Sequence, residues 1–149
     1  CGKKEDTAMT YKVDAKNIIN EVDEIVEDLI ASYEALDLET SFSFFSNDPD
    51  FFMIGSDGLI YDHETFYMAT KIYFNECAKY ELITYFKDIK VLTPELVLVS
   101  WHYKAIATKH TGGRDVFDPA GTTFLFQKIN GQWKVVNYHE STLLPKRVG

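Results

Sequence analysis

Glu140 stands in a C-terminal stretch crowded with rings and β-branched residues, Trp133-Lys134-Val135-Val136-Asn137-Tyr138-His139-Glu140-Ser141. A carboxylate held among aromatic side chains loses hydration, so its pKa rises and it becomes a candidate general base. A tyrosine hydroxyl from Tyr103 or Tyr138 would then stabilise an oxyanion, and His139 is a second candidate base. The plainer alternative pairs Glu140 with Lys104 or Lys134 at a sheet edge. The histidines, His63, His102, His110 and His139, fall in different segments without metal-ligand spacing, so no metal site is expected. No nucleophile elbow, phosphate loop or dinucleotide fingerprint is present, and Asp57-Gly58 and Gly112-Gly113 read as turns. Catalysis, if any, is expected to need no cofactor.

Such residues need a frame that brings them together. From Asp14 to about residue 38, Ile18, Val22, Ile25, Leu29, Tyr33 and Leu36 recur at helical spacing, with Asp14 as the expected N-cap. Residues 39 to 46 suit a short helix or an extended segment, and Asn47-Asp48-Pro49-Asp50 is a turn. Phe51 to Gly55 and Leu59 to Tyr61 form a hairpin around Ser56-Asp57-Gly58. Asp62 caps a helix to about Cys77, on which Phe66, Ala69, Tyr73 and Cys77 share a face. The period then changes to two, giving strands at about 81–92, 95–109, 115–129 and 132–142; the last pair is joined by Asn130-Gly131, a strong hairpin signal. Helices first and long strands second make an α+β layout, and twisted strands of this length coil into a cone around the helices.

Alternation assigns faces. Val97, Val99, Trp101, Tyr103, Ala105 and Ala107 form the inner set, and Phe124 and Phe126 continue it on the next strand. The last strand is ambiguous: Val136, Tyr138 and Glu140 alternate with Val135, Asn137, His139 and Ser141. An aromatic pocket is therefore expected from Trp101, Tyr103, Phe124, Phe126, Tyr138 and Glu140, with Asn137 and His139 replacing the last two if the parity is reversed. Trp133, Val135 and Leu125 are expected on the outer face, where so much apolar surface predicts a homodimer through the sheet.

The chain has 149 residues, enough for one core, and 15 Lys+Arg against 23 Asp+Glu give a net charge of −8. That balance argues against nucleic acid, which needs a cationic face. Glu21, Asp23, Glu24, Glu27 and Asp28 read as a solvated helix face. Cys77 reads as a small core group, and a structural disulfide is not expected. Residues 1 to 13 read as a polar tether, and Cys1-Gly2-Lys3-Lys4 looks like the mature end of a bacterial lipoprotein. In that reading Cys1 carries the lipid and anchors an otherwise soluble domain, residues 14–149, in the cell envelope; acyl chains supply about 0.8 kcal/mol per buried CH₂.

The stretch Gly121-Thr122-Thr123-Phe124-Leu125-Phe126-Gln127-Lys128-Ile129-Asn130-Gly131-Gln132-Trp133-Lys134-Val135-Val136-Asn137-Tyr138-His139-Glu140-Ser141 resembles the end of SnoaL-like domains of the nuclear transport factor 2-like superfamily. The resemblance covers residues 14 to 142 and implies a cone-shaped α+β fold and dimerisation through the sheet. It also implies a range of activities rather than one, from ketosteroid isomerase, dehydratases and cyclases to transport factors and a kinase association domain. Overlaying the Trp133 motif on that last domain places Tyr103, Phe124, Tyr138 and Glu140 at pocket-facing positions, several of them basic there. Three functions are thus expected to compete: a binder of a small apolar or aromatic molecule, a cofactor-free isomerase, dehydratase or cyclase, and an assembly module with a closed cone.

Overall fold

The computed structural model describes residues 3–149, with side chains from Asp14 onward. Helix α1 spans Lys3–Glu34, α2 Leu38–Ser43 and α3 His63–Glu76. The strands are β1 Phe52–Ile54, β2 Ile60–Tyr61, β3 Cys77–Thr93, β4 Leu96–Lys109, β5 Arg114–Ile129, β6 Gln132–Thr142 and β7 Lys146–Val148. The helical backbone of α1 thus begins well before Asp14, across the stretch read as a tether. The lipid-anchor expectation for Cys1 lies outside the described residues. Among the described residues no helix is long and apolar enough to cross a membrane.

The helices precede the long strands, as the change of period from 3.6 to two predicts. The sheet order is β2-β1-β6-β5-β4-β3, antiparallel except for the β1–β6 pair, and β7 pairs with the far end of β5. Asn130 and Gly131 adopt φ of 51° and 78°, the positive angles that a tight hairpin between β5 and β6 requires. Asp62 caps α3 by accepting from Thr65 N at 2.8 Å.

Curvature comes from bulges. Along β3 the pairing with β4 shifts by one residue near Ala78, Tyr85 and Leu92, and each extra residue increases the local twist of this edge strand. A further shift lies on β6. Phe126 pairs with Val135 but Leu125 pairs with Asn137, leaving Val136 as the extra residue.

That bulge corrects the face assignment. The sequence pattern places Trp133 and Val135 outside, yet they are only 6% and 0% exposed, and Tyr138 on the other side of the bulge is buried too. Strict alternation cannot bury both sets; one inserted residue reverses the parity midway and lets β6 present Trp133, Val135, Tyr138 and Glu140 to the same side.

The concave face holds the core. Val22, Val26, Leu29 and Ile30 of α1 lie against Val97, Val99, Phe126 and Val135 of the sheet. The acidic helix face is only partly solvated. Trp133 Nε1 donates to Glu21 at 2.9 Å, Lys87 pairs with Asp23 at 2.6 Å and also with Glu27, and Leu82 N donates to Glu34 at 2.9 Å. These contacts clamp α1 across the opening of the sheet. Cys77 is a buried free thiol at the start of β3.

Candidate functional site

Where the core ends, the cone stays open. A cavity of about 280 Å³ lies between α3, the inner strands and the β1–β2 hairpin. Helix α3 supplies one wall: Phe66, Thr70 and Phe74 are buried, while Ala69 and Tyr73 line the space. Alternation on the sheet supplies the opposite wall, with Tyr103 and Ala105 from β4, Ala120 from β5 and Tyr138 and Glu140 from β6. Tyr33 enters from α1 and Tyr80 from β3. At the rim, Asp57 in the hairpin turn accepts from Tyr61 Oη at 2.5 Å and from Leu59 N at 2.9 Å. Gly55 permits that close approach, because a Cβ there would lie 2.7 Å from Asp57 Oδ1.

Glu140 lines this cavity among the tyrosines. Tyr138 Oη donates to its Oε2 at 2.7 Å. Desolvation pushes the Glu140 carboxyl above the ordinary value of 4.5; the Tyr138 bond pulls it back, the charge of Asp57 pushes it up and Ser56 pulls it back. The residue as a whole keeps partial exposure through the cavity mouth, while its carboxyl group sits inside. The competing arrangement at a sheet edge is not formed, since Lys104 pairs with Asp118 at 3.5 Å and Lys134 donates to the Ser43 carbonyl.

Five tyrosines surround this carboxyl. Burial raises the pKa of Tyr33, Tyr73, Tyr80, Tyr103 and Tyr138, and in each the nearby charge of Glu140 raises it further. All five therefore remain neutral hydroxyls near pH 7 that donate or accept hydrogen bonds. Tyr103 Oη shares a 3.2 Å bond with Thr122 Oγ1. Among the described residues the Tyr73 hydroxyl is buried without a partner. Together the groups can bind a polar head within an apolar enclosure, or move a proton at Glu140 beside neutral donors.

The expected pocket residues divide by depth. Tyr103, Tyr138 and Glu140 line the cavity. Trp101 and Phe124 stand one layer deeper, around a separate void of about 40 Å³, with Trp101 stacked on Tyr103 at a centroid distance of 3.8 Å and Phe124 on Tyr138 at 5.1 Å. Phe126 is 0% exposed and belongs to the core. His139 is exposed on the outer face, beside His102 in a shallow depression, and does not reach the cavity. The sequence pattern does not mark Tyr33, Tyr73, Tyr80 or Asp57 as site residues. Tyr33 and Tyr73 already stood on the apolar faces of their helices, but nothing local showed that those faces converge on Glu140.

The fold and its open end can be compared with known proteins. No curated protein matches the sequence significantly. A putative scytalone dehydratase from Novosphingobium aromaticivorans superposes with a TM-score of 0.79 at 11% identity, covering 93% of this chain and 92% of that one. A putative dehydratase of the NTF2-like family from Streptomyces avermitilis gives 0.75 at 13% identity, over 87% and 98%. A putative calcium/calmodulin-dependent protein kinase II association domain from Xanthomonas campestris gives 0.70 at 16% identity, over 83% and 86%. These likenesses show a shared cone. The SnoaL-like domain family model matches residues 22–145, from the buried part of α1 through every strand that shapes the cavity, and the chain accordingly belongs to the SnoaL-like domain family.

Proposed function

We propose that the protein binds a small molecule with an apolar body and one polar end inside the cone. The observation that carries this reading is a cavity of about 280 Å³, walled largely by aromatic rings and holding one inward-facing carboxyl group, Glu140. A closed cone would have favoured an assembly module. The test is native mass spectrometry on gently purified protein, beside an Ala105→Leu variant that narrows the cavity. A retained small molecule that the variant loses supports the reading. A wild-type protein that retains nothing, and is not stabilised by any of a panel of small aromatic compounds, overturns it.

A second reading is favoured by the pairing of Glu140 with neutral tyrosines: a cofactor-free elimination or isomerisation. Glu140 would take a proton from the carbon beside a carbonyl, and a hydroxyl such as that of Tyr103 would stabilise the enolate oxyanion that forms. Glu140 would then return the proton to the departing β-hydroxyl, which leaves as water in an elimination, or to a second carbon in an isomerisation. Two of the fold relatives carry the name putative dehydratase, which agrees with this class of chemistry. The expected result is conversion of a cyclic β-hydroxyketone to its enone, lost in Glu140→Gln. Equal rates in the two proteins would sink this reading.

We propose further that two copies pair through the outer sheet face, where Leu98, Ile106, Leu125 and Val136 are half-buried in the single chain and Phe86 is exposed. Trp133 and Val135 contribute nothing to that face.

A further inference from the structure

The wall of the cavity is uneven in charge. Six tyrosines and three phenylalanines contribute to it, and its ionisable carboxyl groups are Asp57 and Glu140. Among the described residues no lysine, arginine or histidine lines it. The ammonium of Lys109 lies 3.8 Å from the centroid of the Tyr73 ring, outside the cavity, and is held by Glu76 at 3.2 Å and Asp115 at 3.5 Å. A ligand carboxylate would therefore meet Asp57 at the rim and Glu140 inside, with no counter-charge.

We infer that the ligand is a protonated primary or secondary amine on an apolar body, and that Glu140 is the group that selects it. This rests on the small-molecule reading proposed above. Three features of the wall suit an ammonium. Tyrosine and phenylalanine rings attract cations through their faces, and such contacts gain strength where water is excluded. Phenolic oxygens accept N–H bonds, and among the described residues the Tyr73 hydroxyl is buried with no partner of its own. The Glu140 carboxylate supplies the opposite charge in a low-dielectric setting. At longer range the net charge of −8 favours the approach of cations and repels anions.

The groups facing Glu140 make this selection pH-dependent. They are Tyr138 on its own strand, Tyr33 from α1, Tyr73 from α3, Tyr80 from β3, Tyr103 from β4 and Asp57 from the hairpin, and none of them is basic. Burial favours the protonated carboxyl in the empty cavity, whereas an ammonium favours the carboxylate. Binding then releases a proton over the range where the empty site is protonated, and affinity rises with pH across it.

The test is calorimetry with three matched probes: phenethylammonium, phenethyl alcohol and phenylacetate. The ammonium is expected to bind at least about fivefold tighter than the alcohol, consistent with cation–π and ion-pair contributions in a desolvated site. Phenylacetate is expected not to bind, and Glu140→Gln to bring the ammonium-to-alcohol ratio close to one. Ala105→Leu should weaken every probe that occupies the cavity. If the alcohol or phenylacetate binds as tightly as the ammonium and Ala105→Leu weakens it, the amine inference fails while the binding reading stands. If no probe binds the wild-type protein, the amine inference fails, and the binding reading is decided separately by native mass spectrometry and the compound panel.

Discussion

Ionising Glu140 inside the folded chain works against stability, because burial holds its pKa above the ordinary 4.5. The sign follows from linkage: with the folded value raised, the contribution of this group is fully present below 4.5 and is lost as pH rises through the raised value. Glu140→Gln keeps an acceptor for the Tyr138 hydroxyl and removes the charge. The variant is expected to match the wild type in Tm at acid pH and to exceed it above that window, as measured by thermal melts across pH. A difference that does not change with pH would show that the carboxyl is solvated. Phe126 behaves differently. Fully buried and away from the cavity, it should cost about 3–5 kcal/mol when truncated to Ala, without altering ligand selectivity.

At the scale of elements, the bulge at Val136 decides what β6 can offer. Both Trp133 with Val135 and Tyr138 with Glu140 face inward only because one residue is extra in the pairing with β5. Deleting Val136 restores strict alternation and must turn one of these sets outward. A loss above about 3 kcal/mol is expected in a urea melt, comparable to deleting a large core side chain. Val136→Ala keeps the bulge and should stay within about 1 kcal/mol, so equal losses in the two variants would refute this role for the bulge. The clamp between α1 and β3 is weaker. Lys87→Ala removes a partner of Asp23 and Glu27, whose side chains are 47% and 60% exposed, and should cost no more than about 1 kcal/mol, falling as salt is added. The outline of these elements was legible in advance. The boundaries of β4, β5 and β6, the Asp62 cap and the Asn130-Gly131 hairpin follow from local patterns of two to four residues. The bulge did not, since Val135 and Val136 are equally apolar and only the pairing partner shows which one is extra.

For the whole molecule, the relevant property is how an acidic, ring-rich cone presents its two faces. The inner face ends in the cavity, and the outer face carries half-buried aliphatic residues suited to a second copy. Native mass spectrometry is expected to show a dimer, and Leu125→Glu on the outer face is expected to convert it to monomer with an unchanged circular dichroism spectrum. A wild-type monomer would remove the pairing through the sheet. The cavity should survive that change, since its lining belongs to a single chain.

By itself the sequence determined the class of fold, the order of helices and strands, the inner faces of β4 and β5, and the negative charge of the molecule. Each of these depends on residues near one another in the chain, or on their sum. Only the tertiary structure decided the parity of β6 and the depth of each ring. Alternation tells which side of a sheet a residue faces, but not whether it lies at the open end of the cone, as Tyr103 does, or at its filled end, as Phe126 does. The convergence of Tyr33, Tyr73 and Tyr80 on Glu140 joins elements far apart in sequence, and a local period carries no information about such distances.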